Sequence, residues 1–461
     1  MAAAASDKAR FYMEQSVPEL QEYERKQIFT RAEIMSIAKK RSEFEHIVNL
    51  QPKASDYVRY AQYEMNLDAL RKKRCKRTGV KATSFAGQKK VLFILERATR
   101  RFQGDMGLWM QYLEYCKKEG ARKKLSDAFT KCLRLHPLKY ELWIWVAKMY
   151  YEEQSDMANA RNYMQRGLRF CKREKQLWLE YTKLELIYLA KLDARREILG
   201  LKKERAVEQQ EEEDKTAMDT DADMLALPDV TAEELQGEKD ADAEKREAEL
   251  QKVAESPALS GAIPQVIFDT AMREFNNDPV LAEQFFDVFA LFPTLSCTDR
   301  LLQHVLDHLA ANPDRAGMSN ISTSICNAKR EMIGTSVRSA VDDVDEGQFP
   351  LKLAKFLSAI KKGMGSSPIL NASLGERATL FLLPYLAHVG HGELDEDVEK
   401  VLKSAIKRYL RLIADAPAKI GSASGPAMFS IMADKLVKSK KVRQSEVLLD
   451  LAAEANPAWK R

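Results

Sequence analysis

Glycine and proline are scarce, 19 and 15 among 461 residues. A turn-rich sheet protein needs more of both, so the shortage favours helices. Cysteine is also sparse. None of Cys75, Cys116, Cys132, Cys171, Cys297 and Cys326 stands in a Cys-x-x-Cys pair. That excludes a zinc ribbon or disulfide frame from the expectation and leaves reduced, packing cysteines of an intracellular chain. The opening MAAAASDKAR lacks the apolar stretch of a signal peptide. The longest apolar run, ATLFLLPYLAHV, has 12 residues and contains Pro384, too short and too interrupted for a membrane span.

Catalytic signatures are missing as well. His304 and His308 in HVLDH have metal-ligand spacing on a helix, but the Glu that should follow the first His is absent and no third ligand is evident. His388 and His391 flank Gly390 and are equally weak. GMGSSP at Gly363 has no preceding strand, GSASG puts Ala423 where a nucleophilic Ser must stand, and DDVDEG at Asp342 breaks the EF-hand spacing. No catalytic, cofactor-binding or metal residue is assigned, and a non-enzymatic protein without cofactor is expected.

What is present is a strong segregation of charge. The net charge of +5 hides 19 acidic against 6 basic side chains between Glu204 and Ser256, which leaves +18 on the remainder. A body that basic fits nucleic acid or an acidic partner, although solvated lysine on long helices explains it equally well.

Apolar residues recur at three and four almost throughout. A longer period overlies them. Trp109, Trp143 and Trp178 lie 34 and 35 residues apart, each after a Leu, with Tyr112, Val146 and Tyr181 one helical turn on. An earlier copy, DYVRYAQYE, supplies Tyr57, Tyr60 and Glu64. Second helices follow, with the small residues Ala98, Cys132 and Gly167 again 34 and 35 apart, and Ala271 in a further copy. A hairpin of this size cannot bury its own apolar face, so the period predicts an all-α solenoid of stacked hairpins. At helical spacing the tryptophans read as core, not as a base-stacking platform.

The tetratricopeptide offsets after the Trp are not met. Aromatic, Tyr at +3 and Glu at +7, followed by ARNYMQRGL (Ala160 to Leu168), resembles the half-a-tetratricopeptide (HAT) variant instead. That resemblance implies an RNA-processing assembly.

The organisation expected is an N-terminal helical arm at 1–55, a HAT array at 56–203, an acidic, largely disordered insertion at 204–257, and HAT-like repeats at 258–461. The insertion falls between a first helix (Trp178) and a second helix (Ala271), hence inside one hairpin, where extra loop length costs little. It would screen a basic face, dock a basic partner or serve as a spacer. PVLAEQFFDVFALFPTL and SCTDRLLQHVLDHLAANPDR form another hairpin, with Phe285, Phe286 and Phe289 standing in for the Trp. From Ala316 to Pro350 the pattern weakens, and SVRSAVDDVDEGQFP, Ser336 to Pro350, is expected to be a loop; four or more helices follow.

Residues 7 to 50 read as a separate helical arm, with Thr30 and Glu33 in a capping box. YMEQSVPELQEYERKQIFTRAEIMSIAKKRSEFEH followed by DYVRYAQYEMNLDALRKKRCKR resembles the U3 small nucleolar RNA-associated protein 6 family over roughly the first 200 residues. The resemblance implies a non-catalytic HAT-repeat subunit of the UTP-B subcomplex of the small-subunit processome, in the nucleolus. Its implied partners are WD-repeat propeller proteins, the U3 small nucleolar ribonucleoprotein and the 5′ external transcribed spacer of pre-rRNA, and its implied role is 18S rRNA maturation and 40S assembly. A HAT scaffold of splicing or mRNA 3′-end formation is the alternative.

One run stands out, Arg71, Lys72, Lys73, Arg74, Lys76 and Arg77. It is placed at or beyond the C-terminal end of the first-repeat helix and continued by a basic loop with Lys81, Lys89 and Lys90. Three readings stay open: contact with RNA or an acidic partner, a nuclear import signal, or a solvated helix end favoured by the helix dipole.

Overall fold

The structure is a computed structural model that describes residues 2–79, 85–198, 261–313, 317–334, 348–388, 396–415 and 425–456. The regular elements among them are nineteen helices and no strand. The all-α, hairpin-repeat expectation is met. The acidic insertion lies outside the described residues, as do Lys81, His391, Asp342, Ala423 and Trp459. No helix among the described residues is long and apolar enough to cross a membrane. The chain divides into two compact units, Met1–Val146 and Ala147–Arg461.

The first unit begins with α1 (Ala2–Glu14), α2 (Val17–Arg25) and α3 (Arg31–Leu50). Thr30 accepts from the Glu33 N–H at 3.4 Å while Glu33 accepts from the Thr30 N–H at 2.9 Å, so the capping box starts α3. The hairpin α4 (Ala54–Thr78) and α5 (Ala86–Arg101) follows, then α6 (Met106–Lys118) and α7 (Arg122–Leu135). The arm is not separate. Leu20, Tyr23, Ile28, Phe29 and Ile37 form one buried cluster with Cys75 of α4, and Leu67 packs on it. At about 25 cal/mol per Å² of apolar surface, such burial outweighs any tendency of a short arm to stand free.

Helix α8 (Tyr140–Gln154) contributes to both units; α9 (Met157–Phe170) and α10 (Lys175–Ile198) lie in the second. Helix α10 packs against α11 (Ala262–Glu274). Then come α12 (Pro279–Ala290), α13 (Thr298–Ala311), α14 (Met318–Glu331), α15 (Gln348–Gly363), α16 (Pro368–His388), α17 (Glu396–Ala414), α18 (Gly425–Lys438) and α19 (Val442–Ala455). Helix α14 lies in the stretch where the pattern weakens. Its buried face is Ser319, Ile321, Ser322, Ile325, Cys326, Ala328 and Lys329, in which three polar residues interrupt the apolar stripe. The loop expected at Ser336–Pro350 lies outside the described residues except Gln348–Pro350, which begin α15 instead.

The repeat has a recurring internal geometry. The indole N–H of Trp109 donates to the Gln103 carbonyl at 3.0 Å, Trp143 to Pro137 at 2.9 Å, and Trp178 to Lys172 at 3.0 Å. In every case the acceptor lies six residues back, in the turn before the helix. Each Trp is thus buried and satisfied, as core requires. Tyr57, Tyr60, Tyr112 and Tyr181 are buried with them. The small residues recur in backbone terms too. The carbonyls of Ala98, Cys132, Gly167 and Ala271 accept the last helical bond from Phe102, His136, Cys171 and Phe275, at 2.8, 2.9, 2.8 and 3.0 Å. All four small residues are buried.

Candidate nucleic-acid interface

The cationic run does not extend from a helix end; it is the last two turns of α4, which stops at Gly79 in the left-handed conformation (φ +69°). The helix outlasts the expected boundary because Asp68, Arg71 and Cys75 continue its buried face at three and four residues. Lys89 and Lys90 are likewise helical, in α5 rather than in a loop. Burial, with Arg41 nearby, lowers the Lys90 pKa.

The six cations divide into two sets. Arg71 is buried and donates from Nε and Nη2 to Asp68 Oδ1 at 2.9 and 2.6 Å. Gly87 of α5 makes room for that carboxylate, since a Cβ there would stand 2.3 Å from Asp68 Oδ1. Lys72 reaches Asp68 at 2.9 Å and Glu119, beyond α6, at 3.1 Å. Arg74 clasps Glu33 through both terminal nitrogens at 2.8 and 2.7 Å, donates to the Ile28 carbonyl, and lies 4.7 Å over the Phe29 ring. Hydrogen bonds from Arg74, and then from the Thr30 N–H, hold the Glu33 carboxyl down at about 2. Lys72 therefore ties the first hairpin to the next and Arg74 ties it to the arm, while Arg71 is neutralised within α4. Lys73, Lys76 and Arg77 are exposed. Only these three present their charge outward.

A buried ionic network lies deeper. Arg41 of α3 donates from Nε and Nη2 to the two oxygens of Glu64, both at 2.8 Å, and both residues are about 1% exposed. Desolvation works against the Arg41 charge, but Glu64 more than offsets it, and the guanidinium pKa is raised. Arg161 and Glu185 repeat the arrangement between α9 and α10 at 2.7 and 2.6 Å. Glu64 and Glu185 are the +7 residues of the HAT pattern, and here is their physical reason: each receives a fork-shaped arginine from the preceding second helix. In this respect α3 stands to α4 as α9 stands to α10, so the supposed arm ends in a repeat helix.

A further group escaped the sequence reading. Two residues after each small residue stands an arginine: Arg100, Arg134, Arg169 and Arg273. All are exposed in the last turn of a second helix, where the dipole favours a cation. Counting outward from Ala98, Cys132, Gly167 and Ala271 would have found them.

The remaining chemistry-bearing residues are engaged in packing. All six cysteines are buried, and burial pushes the Cys116 and Cys132 thiols up to about 12 and about 11. Such thiols are poor nucleophiles at neutral pH. His304 Nε2 lies 2.7 Å from Asp269, and both His304 and His308 pack edge-on against Phe268. No group of three or more potential metal ligands occurs among the described residues.

Comparison with known proteins bears on this geometry. The family model described as U3 small nucleolar RNA-associated protein 6 matches residues 13–99, from the end of α1 through most of α5. A Schizosaccharomyces pombe protein of that name is 36% identical over 254 residues, 53% of this chain and 52% of its own length. A Homo sapiens homolog is 32% identical over 231 residues, 49% of this chain and 36% of the relative. A Dictyostelium discoideum homolog is 26% identical over 290 residues, 62% of this chain and 46% of the relative. The matches thus span about half the length of these relatives or less. The resemblance read from the sequence is shown over these stretches.

Proposed function

We propose that this chain is a non-catalytic scaffold subunit that acts with the U3 small nucleolar ribonucleoprotein in ribosome biogenesis. The observation that carries the reading is the family match over residues 13–99. That stretch contains Arg41 and Glu64, and Arg74 and Glu33, the pairs that join arm to repeat. Relatives named as U3 small nucleolar RNA-associated proteins support the assignment to pre-rRNA processing and to the nucleolus. The finer reading places the chain in the UTP-B subcomplex of the small-subunit processome. There its hairpin surfaces would hold WD-repeat propeller proteins and bring them to U3 and the 5′ external transcribed spacer during 18S rRNA maturation.

Within the cationic run, the proposed contact with phosphate or an acidic partner belongs to Lys73, Lys76 and Arg77. The other three have their charge matched inside the protein. Contact of this kind positions a backbone and reads no base sequence.

The test is affinity purification of the tagged full-length chain from nuclear extract, with RNA and protein identification. Enrichment of U3 RNA together with propeller proteins is expected. Spliceosomal or mRNA 3′-end components in their place would refute the assignment and select the other class of HAT scaffold.

A further inference from the structure

At the opposite end of the first hairpin from Lys73, an open cleft of about 640 Å³ lies between α1 and the last turn of α5. Its walls include Phe11, Tyr12, Asn49, Arg97, Arg100 and Arg101. Arg97 is committed to the protein: it bonds both Glu45 oxygens at 3.0 Å and lies 4.3 Å over the Tyr12 ring. Its role is to hold α1 against α3 and α5, which fixes the aromatic wall. Asn49 is held too: its amide nitrogen donates to the Glu45 carbonyl at 2.8 Å and to Glu45 Oε2 at 3.3 Å, which leaves its Oδ1. Phe11, Arg100 and Arg101 face outward, and Asp7 adds one exposed carboxylate to the lining. Phe11 is 55% exposed, far more than a core phenylalanine. Arg101 is exposed, and the Arg100 side chain is 71% exposed although it reaches Glu96 at 2.7 Å. A second groove of about 320 Å³ shares Arg100 and continues past Trp109 to Arg134, so exposed guanidiniums line both. Residues 1–146 carry 30 Lys and Arg against 17 Asp and Glu, a net +13 that favours any polyanion.

We propose that this cleft binds single-stranded RNA, with phosphates on Arg100 and Arg101 and a base against the open face of Phe11. An acidic peptide would use the arginines but has no use for an exposed ring beside an amide. An unstacked base uses both, the ring for its π-face and Asn49 Oδ1, whose amide nitrogen is held by Glu45, as an acceptor for its edge. A duplex keeps its bases stacked and would leave Phe11 unoccupied. The choice of RNA over other single strands rests on the function proposed above. The experiment separates the two, because association with U3 RNA through partner proteins would survive loss of this cleft.

The test uses the full chain and a fluorescein-labelled oligouridine, by fluorescence anisotropy over a salt series. Arg100→Glu with Arg101→Glu should weaken binding at least tenfold and reduce the salt slope by about 0.7 for each phosphate left without its cation. Phe11→Ala should weaken it about five- to tenfold with the slope unchanged, and Phe11→Trp should restore it. All three side chains are exposed, so thermal melting should match the wild type. The proposal is overturned by failure of the wild type to bind, by Phe11→Ala binding as well as wild type, or by a duplex or polyglutamate binding as tightly as the single strand.

Discussion

The two regions flanking the insertion build the same kind of hairpin and lock it differently. Before it, an aromatic with a polar handle sets each first helix: Trp109, Trp143 and Trp178 hang from a carbonyl six residues back. After it, the corresponding α12 position is filled by Phe285, Phe286 and Phe289, fully buried with no polar atom. Register there is held instead by a charge node. Lys329 of α14 bonds Glu283 at 3.0 Å and Asp287 at 2.7 Å, and Arg377 of α16 bonds Glu283 at 2.5 Å and Ser322 at 2.8 Å. A hairpin repeat thus needs a directional contact at each junction, but not a particular one. That freedom lets the sequence signal vanish while the packing persists.

The comparison can be broken from its strongest point. Arg41→Ala strands the Glu64 carboxylate in the interior, and a loss of about 3–5 kcal/mol is expected. Urea unfolding followed by circular dichroism measures it. Arg161→Ala should cost less, because the Arg161 side chain is 27% exposed against 1% for Arg41. Equal losses at the two sites would show that burial is not what distinguishes them.

Next in size, Trp178→Phe keeps the ring but removes the indole donor to the Lys172 carbonyl, at about 1–2 kcal/mol in the same assay. A loss near zero would mean that the indole bond does not set register.

A smaller effect depends on pH. The folded Glu33 carboxyl, at about 2, lies below its unfolded value of about 4.3, so its contribution is complete above that range and fades as pH falls toward 2. The Glu33 and Arg74 side chains are 39% and 30% exposed, so solvent screens the pair and holds the contribution below about 1 kcal/mol. Arg74→Ala should flatten this part of the stability–pH curve between pH 5 and 2, read by thermal melting.

Smallest of all, Lys73→Glu with Lys76→Glu and Arg77→Glu should shift stability by about 0.5 kcal/mol or less, since all three are exposed. A large loss in the same melting assay would show that these cations also serve the fold.

The legible parts of the sequence were those with large side chains at fixed spacing. The Trp period gave the hairpins, and the Thr30–Glu33 box gave the start of α3. Glu64 and Glu185 were visible as a pattern, but their arginine partners lie 23 and 24 residues earlier, and nothing local announces the pairing. The division of Arg71 to Arg77 into tied and outward cations was illegible for the same reason, because Glu33 and Glu119 come from distant helices. Helix α14 drew no assignment because Ser319, Ser322 and a paired Lys329 interrupt the Ile321, Ile325, Cys326 and Ala328 stripe on its buried face. Polar burial satisfied over a long range leaves no periodic trace.

Ultraviolet crosslinking of the full-length chain in nuclear extract, with the crosslinked peptides and RNAs both identified, bears most directly on the functional reading. The account predicts crosslinks within residues 11–101, at the Phe11 cleft or around Lys73, to U3 RNA or pre-rRNA. Crosslinks confined to other residues, or carrying spliceosomal RNA, would contradict it.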